Sequence, residues 1–270
     1  MLEKIAETKK YIESKISKKY EIAIVLGTGL GGLVEKIKVD VTIPYQEIPN
    51  FPVSTVKGHA GQLIFGELSG KNVLAMQGRF HYYEGYTMQE VTFPIRVFKA
   101  IGVNTVIISN AAGGMNPAFQ VGDIMIIKDH INLMPSNPLI GKNYDELGPR
   151  FPDMSEAYDK SLRELAFAVA KEMGITLQEG VYVSVSGPTF ETPAEYKYMR
   201  IIGGDAVGMS TVPEVIVARH GNMRVFALSV ITDLGGMDNV TPVSHEEVIE
   251  AAAKAEPKMS GLIMGMLAKL

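Results

Sequence analysis

Short runs of β-branched and other apolar residues recur along this chain and alternate with stretches of helical periodicity. The apolar runs cover residues 21–26, 71–77, 104–110, 123–128, 180–186 and 223–231. The helical stretches cover residues 88–101, 155–173, 193–202, 213–221 and 244–270, and an amphipathic helix precedes them. Continuously apolar strands that alternate with helices are typical of sheets buried on both faces. The sequence therefore predicts an α/β fold, in which helices flank a central mixed, largely buried β-sheet.

The length and composition of the chain favour one folding unit. Its 270 residues lie at the upper end of a single domain, and an apolar fraction of 46% is ample for a large core. No internal repeat, low-complexity tract or linker-like change of composition divides the sequence. We therefore expect a single domain over residues 1–270.

Charge and residue usage restrict the partners and the compartment. The formal net charge of -4 argues against nonspecific binding to nucleic acid or anionic membranes, so a phosphate ligand has to be captured locally. The N-terminus lacks the features of a secretory signal, and no apolar run reaches the length of a membrane span. The absence of cysteine fits a reducing compartment and excludes thiolate metal sites. We expect a soluble, cytoplasmic protein without a metal ion.

The first apolar run ends in a glycine-rich turn, GTGLGG, at residues 27–32. Gly27, Gly29 and Gly32 match the GxGxxG fingerprint of dinucleotide-binding proteins. That fold needs a full helix and then a strand with a terminal acidic residue, whereas barely two helical turns and a proline-rich segment follow here. A dinucleotide site is therefore disfavoured. Two interpretations remain: a tight turn without a ligand, or a nest in which backbone N–H groups and the Thr28 hydroxyl bind an anion.

The segment GRFHYYEGY, at residues 78–86, concentrates groups that bind anions and sugars. If the segment is extended, Arg79, His81 and Tyr83 point to one side, and Phe80 and Tyr82 point to the other. The Arg79 guanidinium is a rigid fork suited to phosphate oxygens, and the His81 ring can add a second donor. The segment therefore predicts one polar side that faces a ligand.

Three other loops repeat this chemistry. His59 lies between glycines in GHAGQL, and Ala111 follows a strand in SNAAGG, where small residues leave backbone N–H groups accessible to an oxyanion. Ser210 follows a further strand, and a helix is expected to begin near Pro213. The sequence therefore predicts that several strand ends converge on one anion.

Eight motifs, in their order along the chain, resemble those of purine nucleoside phosphorylases of the trimeric type: GTGLGGL, GHAGQL, GRFHYYEGY, SNAAGGMNP, GPRFPDMSEAYD, GPTFETPAEY, VGMSTVPE and SHEEV. The resemblance extends from Gly27 to the last helix. It implies a nucleoside phosphorylase-like fold, a homotrimer, and the reversible phosphorolysis of nucleosides such as inosine and guanosine in purine salvage. The implied products are the free base and α-ribose or deoxyribose 1-phosphate. Inorganic phosphate is then a co-substrate, and no other cofactor is implied.

The resemblance also implies roles for individual residues. Phosphate binding is implied for Thr28, His59, Arg79, His81, Ala111 and Ser210. Ribose binding is implied for Tyr83, Met209, His245 and, from the neighbouring subunit, Phe151. Base binding is implied for Phe190, Glu191 and Asp233, and catalytic roles for His81, Glu191 and Asp233.

Several of these residues also have plainer interpretations. Met209 and Phe190 are residue types that usually belong to the core. His245 follows Ser244, a good N-cap, and is then only a first-turn residue of the last helix. The nearby acidic residues are predicted to be ordinary surface or ion-pair groups, namely Glu84, Glu195, Asp205 and Glu246.

Asp233 departs from the family, which typically has an asparagine here that donates to the 6-oxo group and N7 of the base. An ionised carboxylate cannot donate a hydrogen bond. Either Asp233 is protonated and passes a proton to N7 as the purine leaves, or it accepts from a 6-amino group, as in the related methylthioadenosine phosphorylases. The first interpretation predicts inosine and guanosine as substrates, and the second predicts adenosine or methylthioadenosine. We favour the first.

Two other functions stay open. A nucleoside hydrolase would cleave nucleosides equally well without phosphate, although the chain lacks an aspartate-rich calcium motif. A non-catalytic nucleotide-binding module would bind its ligand without turnover. For a phosphorolytic enzyme, we expect Arg79→Ala to raise the KM for phosphate and to lower turnover more than it harms folding.

Overall fold

The computed structural model of the chain describes residues 1–28, 31–53, 60–235 and 243–270. Its strands are β1 (Ile22–Leu26), β2 (Lys38–Pro44), β3 (Gln62–Leu68), β4 (Lys71–Gln77), β5 (Thr105–Gly114), β6 (Ile124–Asn132), β7 (Gln178–Ser184), β8 (Ala206–Gly208) and β9 (Arg224–Leu234). Its α-helices are α1 (Leu2–Glu13), α2 (Met88–Val91), α3 (Phe93–Ala100), α4 (Lys160–Met173), α5 (Pro193–Ile201), α6 (Val212–His220) and α7 (His245–Leu267). Short 3₁₀ helices lie at Gly31–Lys36, Tyr45–Glu47, Tyr82–Glu84 and Asp145–Leu147.

The described strands form one mixed sheet in the order β2-β3-β4-β1-β5-β8-β7-β6-β9. β1 pairs in parallel with β4 and β5, and β5 pairs in parallel with β9. β2, β3 and β4 run antiparallel to their neighbours in this series, as do β5 and β8, and β6 and β9. Because β9 pairs with β5 as well as with β6, half of the sheet closes into the ring β5-β8-β7-β6-β9. The predicted mixed sheet is confirmed.

Alternate residues of the central strand β1 face two layers of helices. Ala23 and Val25 belong to a hydrophobic cluster that includes side chains of α1, α3 and α6. Ile22, Ile24 and Leu26 belong to a second cluster, which includes side chains of α4 and α7. This two-sided burial explains the continuous apolar run in the sequence, and it confirms that helices flank the sheet. None of the described helices is both long and apolar enough to cross a membrane.

Some element boundaries differ from the sequence-based expectation. β2 and β3 are additional strands at the open edge of the sheet, and β2 is largely exposed, so it lacks the apolar run of an inner strand. The helix expected over 88–101 is interrupted at Thr92, because Pro94 in the first turn of α3 cannot donate the N–H that a continuous helix requires. α4 begins at Lys160, where the Asp159 carboxylate caps it by accepting from the Leu162 N–H at 3.0 Å.

The glycine-rich turn after β1 is followed by a 3₁₀ helix and then by β2. Glu47 lies in a second 3₁₀ helix, not at the end of a strand. The described residues after the turn thus lack the full helix and the acidic strand end of a dinucleotide-binding unit. Gly27 is required by packing, since a Cβ there would lie 2.8 Å from the Ser109 carbonyl oxygen. Gly27 therefore allows the end of β1 to lie against β5.

Candidate active site

A cleft opens where β5 changes its neighbours in the sheet. β5 pairs with β1 as far as Ile108, and with β8 only at Gly113 and Gly114. Such a change of neighbours at the carboxyl ends of parallel strands is where α/β sheets typically bind ligands. Most of the site residues predicted from the sequence line this cleft, namely Thr28, Arg79, His81, Tyr83, Ala111, Phe190, Glu191, Met209, Ser210, Asp233 and His245.

Arg79 places a positive charge at one end of the cleft and is almost fully buried, with 1% of its surface exposed. It follows Gly78, whose φ of 100° turns the chain after β4. Nη1 donates to the Ser109 carbonyl oxygen at 2.8 Å and to the Ser210 hydroxyl at 3.2 Å. Nε lies 3.2 Å from the Glu214 carboxylate. The guanidinium is thus fixed by contacts to three separate segments of the chain.

Glu214 is a site residue absent from the sequence-based prediction. It lies in the first turn of α6, and its carboxylate accepts from the Thr211 backbone N–H at 3.0 Å. Its side chain is 4% exposed, so its charge is compensated inside the protein by Arg79. The capping-box spacing of Thr211 and Glu214 in VGMSTVPE is a sequence signal for this arrangement. Glu214 therefore connects the start of α6 to the cationic end of the cleft.

Glu84 is buried against His81, so the expectation of a surface group is wrong, and only the ion-pair alternative agrees with the structure. Its side chain is 2% exposed and accepts from the His81 backbone N–H at 2.7 Å. The same oxygen lies 3.2 Å from His81 Nδ1. Because a carboxylate accepts, this contact places a proton on Nδ1 and leaves Nε2 as an acceptor in the neutral ring. Burial lowers the pKa of His81, and the hydrogen bond to Glu84 opposes that shift.

The segment from Arg79 to Tyr83 is extended only as far as His81, because Tyr82–Glu84 forms a 3₁₀ helix. Arg79, His81 and Tyr83 nevertheless all line the cleft. The Tyr83 ring stacks on the His81 ring, with centroids 4.7 Å apart and an interplanar angle of 16°. Phe80 belongs to the core. The 3₁₀ turn thus does what an extended strand was expected to do: it brings Tyr83 to the same side as His81.

Met209, His245 and Phe190 enter the cleft from three different elements. Met209 follows β8 and packs on Gly187, where a Cβ would lie 2.2 Å from the Met209 sulfur. His245 is the first residue of α7 and also lines the cleft. Its position therefore agrees both with a first-turn residue of the helix and with a residue that can contact a ligand. Phe190 is 44% exposed and Met209 is partly exposed, so neither is a core residue.

A β-bulge presents both Thr232 and Asp233 to the cleft. Ala112 of β5 lies opposite Ile231 of β9, but Gly113 lies opposite Asp233, so Thr232 has no partner in the ladder. Neighbouring side chains of a regular strand point to opposite faces, and a bulge changes their direction. Both side chains line the cleft, and the Thr232 hydroxyl donates to Asp233 Oδ1 at 2.9 Å.

Glu191 and Asp233 form an acidic end of the cleft, and both contact Tyr196. The Tyr196 hydroxyl donates to Asp233 Oδ2 at 3.2 Å and also interacts with the Glu191 carboxyl. Burial raises the pKa of both carboxyls, and repulsion from Asp233 adds to the rise at Glu191. Tyr196 is a second residue that the sequence does not reveal, because the contact joins α5 to β9 and leaves no local pattern.

The two ends of the cleft are separated along β5. Arg79 contacts the Ser109 carbonyl, whereas Asp233 lies opposite Gly113, four residues further along the strand. At about 3.3 Å per residue, four residues correspond to roughly 13 Å. A ligand that spans the cleft therefore meets a cation at one end and protonatable acids at the other. The described residues contain no group of three or more His, Cys, Asp or Glu side chains that would hold a metal ion.

Of the predicted site residues that the structure describes, only Phe151 lies away from this cleft. His59 lies outside the described residues. Phe151 is 88% exposed, and its ring lies 5.9 Å from the Arg150 guanidinium carbon. Arg150 in turn donates to the carbonyl oxygens of Gly141 at 2.7 Å and Leu139 at 3.0 Å. Phe151 thus presents an apolar ring outward from a loop that Arg150 fixes.

Comparisons with known proteins agree with this architecture. A family model described as the phosphorylase superfamily matches residues 21–268. The purine nucleoside phosphorylase 1 of Geobacillus stearothermophilus is 55% identical over 252 residues, which cover 93% of this chain and 92% of that protein. The purine nucleoside phosphorylase of Schistosoma mansoni in complex with adenosine superposes with a TM-score of 0.95 at 45% identity, covering 100% of this chain and 98% of that one. Its complex with inosine gives 0.95 at 44% identity, covering 100% and 97%.

Proposed function

We propose that this chain, which belongs to the phosphorylase superfamily, is a pentosyltransferase that catalyses the reversible phosphorolysis of purine nucleosides. Inosine or guanosine and inorganic phosphate give the free base and α-ribose 1-phosphate, and deoxynucleosides react in the same way. One observation carries the proposal: a single cleft joins a buried, fixed arginine to a pair of carboxyls with raised pKa values. Phosphate and purine are the two ligands that these ends fit.

Inorganic phosphate, the co-substrate, binds at the cationic end. Arg79 supplies the positive charge. The other proposed phosphate ligands are the Thr28 and Ser210 hydroxyls, the Ala111 backbone N–H, and His59. His81 Nε2 accepts a proton from a phosphate hydroxyl, which makes the attacking oxygen more nucleophilic. A phosphate aligned in this way lowers the barrier by on the order of 7 kcal/mol through orientation alone.

The ribose lies between the phosphate and the base. Tyr83 and Met209 pack on the sugar, and His245 binds its 5′-hydroxyl. The new bond forms from a phosphate oxygen to the anomeric carbon while the bond from that carbon to the purine nitrogen breaks. Positive charge then develops on the sugar and the electron pair passes to the purine, as in other glycosyl transfers. The bound phosphate stabilises the positive charge on the sugar, and the groups at the acidic end of the cleft bind the purine that takes up the electron pair.

The base lies at the acidic end of the cleft. Glu191 accepts from N1–H of a 6-oxopurine, Phe190 packs on the purine ring, and Asp233 in its protonated form donates to the 6-oxo group or to N7. The raised pKa of Asp233, caused mainly by burial, supports this proton donation. A purine that receives a proton at N7 leaves as a neutral base.

A second candidate substrate class is the 6-aminopurine nucleosides. The observation that favours it is the set of hydrogen bonds to Asp233, whose two oxygens accept from Thr232 at 2.9 Å and Tyr196 at 3.2 Å. Those contacts suit a carboxylate that accepts, and such a carboxylate would accept from the 6-amino group of adenosine. Initial rates with inosine, guanosine, adenosine and methylthioadenosine rank the two classes.

The proposed reaction is tested by measuring inosine cleavage with and without added phosphate. Purified protein should cleave inosine only when phosphate is added, and ribose 1-phosphate should accumulate in step with hypoxanthine. Arsenate in place of phosphate should also support cleavage but release free ribose. Equal rates in phosphate-free buffer would identify a nucleoside hydrolase, and tight binding without cleavage would identify a binding module. Either result contradicts the proposal.

The buried contact between Glu84 and His81 predicts a catalytic defect that does not depend on folding. We expect Glu84→Gln to lower kcat by about 10- to 100-fold, because His81 loses the charged partner that orients its ring and fixes its proton. Glu90→Gln is the matched control, since Glu90 makes the same capping-box contacts to Thr87 but is exposed and outside the cleft. Steady-state kinetics of both variants decide the point. Equal kcat values would show that Glu84 only stabilises the turn.

We propose further that the enzyme acts as a cytoplasmic homotrimer in which Phe151 completes a neighbour's sugar site. The exposed ring, held on a loop that Arg150 ties down, supports this assembly. Phe151→Ala is expected to raise the KM for inosine about tenfold, the effect of losing roughly 1.5 kcal/mol of apolar contact. Val121→Ala, at another exposed apolar residue, serves as the control. A monomer with full activity in sedimentation and kinetic assays would refute the shared site.

A further inference from the structure

The Tyr196 hydroxyl contacts two carboxyl groups but has only one proton to donate. It donates to Asp233 Oδ2 at 3.2 Å and interacts with Glu191. Burial and the two neighbouring acids raise the pKa of Tyr196, so the phenol keeps its proton. A phenol can donate one hydrogen bond and accept another. The Tyr196 hydroxyl can make a hydrogen bond to both carboxyls only when one of them is ionised and accepts, and the other is protonated and donates.

The position of this hydroxyl is built into the fold. Tyr196 is 4% exposed, and its ring packs in a small cluster with Met115, Val183, Met199 and Val207. Two glycines make room for it. A Cβ on Gly113 would lie 2.8 Å from the Tyr196 oxygen and 3.0 Å from Asp233 Oδ2, and a Cβ on Gly235 would lie 2.2 Å from the ring. Because packed interiors do not yield by such amounts, the hydroxyl stays at the two acids.

The charges around the pair favour a single bound proton. Glu191 is repelled by Asp233 and by Glu195, on the same helix as Tyr196. Asp233 faces Tyr196 and the uncharged Thr232 hydroxyl. The other described titratable groups that line the cleft are Arg79, His81, Tyr83 and His245. Two like charges that share one hydrogen-bond donor bind the first proton readily and resist the second.

We propose that Glu191, Tyr196 and Asp233 hold one carboxyl proton between them, and that Tyr196 relays it so that the site accepts both 6-oxopurine and 6-aminopurine nucleosides. This inference rests on the proposed phosphorolysis. When the Asp233 carboxyl passes its proton to the phenol oxygen, the phenol passes its own proton to Glu191. The number of protons and the net charge stay the same. Only the end that carries the proton changes.

Each class of base requires the proton at a different end. A 6-oxopurine presents a donor at N1–H and an acceptor at its 6-oxygen, so it fits an ionised Glu191 and a protonated Asp233. A 6-aminopurine presents an acceptor at N1 and a donor at its amino group, so it fits a protonated Glu191 and an ionised Asp233. Both classes therefore use the same protonation level of the free enzyme. Tyr196 acts as a positioning residue that keeps the two arrangements in exchange.

The ratio of kcat/KM for adenosine to that for inosine tests the shared proton in the unmodified enzyme. The relay predicts that this ratio is constant within about twofold from about pH 5.5 to about pH 8.5, because kcat/KM reports ionisations of the free enzyme and both substrates need one protonation level. Ionisation of phosphate and of His81 affects both substrates alike and cancels. If Asp233 titrated alone, the ratio would rise about tenfold per pH unit across its titration. Such a rise would overturn the relay.

The Tyr196→Phe variant tests the tyrosine itself. It keeps the ring and removes the hydroxyl, so the singly protonated pair loses a bridging hydrogen bond. The pH range in which each substrate reacts should then narrow by about one pH unit relative to the parent enzyme. Tyr198→Phe is the control, because Tyr198 lies on the same helix with 54% of its surface exposed, and its profile should not change.

The outcomes separate this inference from the proposed function. An unchanged pH profile in Tyr196→Phe overturns the relay but leaves phosphorolysis intact. Cleavage of inosine without phosphate overturns the proposed function directly. If Tyr196→Phe does not fold, the pH dependence of the adenosine to inosine ratio in the parent enzyme still supports or overturns the shared proton.

Discussion

The Arg79→Ala variant is expected to lose most of its phosphate-dependent activity and a large part of its stability. Arg79 is buried, and its Nε lies 3.2 Å from the buried Glu214 carboxylate. Removal of one partner of a buried ion pair costs about 3–5 kcal/mol, because the remaining charge is left uncompensated. Removal of one preorganised donor to a reacting anion costs about 10²- to 10³-fold in turnover. The sequence predicts mainly the kinetic effect, and the burial of Glu214 adds the thermodynamic one.

A second variant separates the two effects. In the double variant Arg79→Ala with Glu214→Gln, the uncompensated charge is gone, so much of the lost free energy of unfolding should return. Activity should not return, because the phosphate still lacks its cation. Denaturant unfolding and phosphate-dependent inosine cleavage measure the two quantities on the same samples. If Arg79→Ala alone kept the parent activity and the parent midpoint of unfolding, Arg79 would neither bind the phosphate nor stabilise the fold through Glu214.

The inner strands could be predicted because strands buried on both faces consist of consecutive apolar residues. Every residue of β1 is buried, and alternate side chains face two clusters, so the sequence shows an unbroken apolar run. β2 lies at the edge of the sheet and is largely exposed, so charged residues such as Lys38 and Asp40 interrupt its apolar residues. The closure of β9 onto β5 depends on pairing between distant segments, which no local periodicity records.

The candidate site divides in the same way. Residues in glycine-rich strand ends, such as Thr28, Arg79 and Ser210, could be predicted because a local motif marks each of them. The contact of Arg79 with Glu214 and that of Asp233 with Tyr196 join residues far apart in sequence, so the motifs show the individual groups but not their partners. These contacts determine the protonation of the site residues and contribute to the stability of the fold. The sequence therefore indicates where the ligands bind, and the structure is needed to derive how their charges are balanced.

Asp233→Asn is expected to shift the base preference strongly toward 6-oxopurines. An amide N–H donates to the 6-oxo group at any pH, whereas an aspartate must first bind a proton. The amide also removes the negative charge that would accept from a 6-amino group. A hydrogen bond to a charged group contributes about 1.5–3 kcal/mol, so kcat/KM for inosine relative to adenosine should rise about 10- to 100-fold.

The substitution should leave the fold intact, which makes its kinetic effect interpretable. Among the described residues, Asp233 accepts from the hydroxyls of Thr232 and Tyr196, and a hydroxyl can accept from the new amide as readily as it donates to the present carboxyl. Asp129→Asn, which makes the same change of charge at an exposed position outside the cleft, controls for nonspecific electrostatic effects. Kinetics with inosine and adenosine over a range of pH measure the ratio in both variants. A ratio that stayed at the parent value in Asp233→Asn would show that this carboxyl does not contact the 6-position of the base, and the specificity would have to reside elsewhere in the cleft.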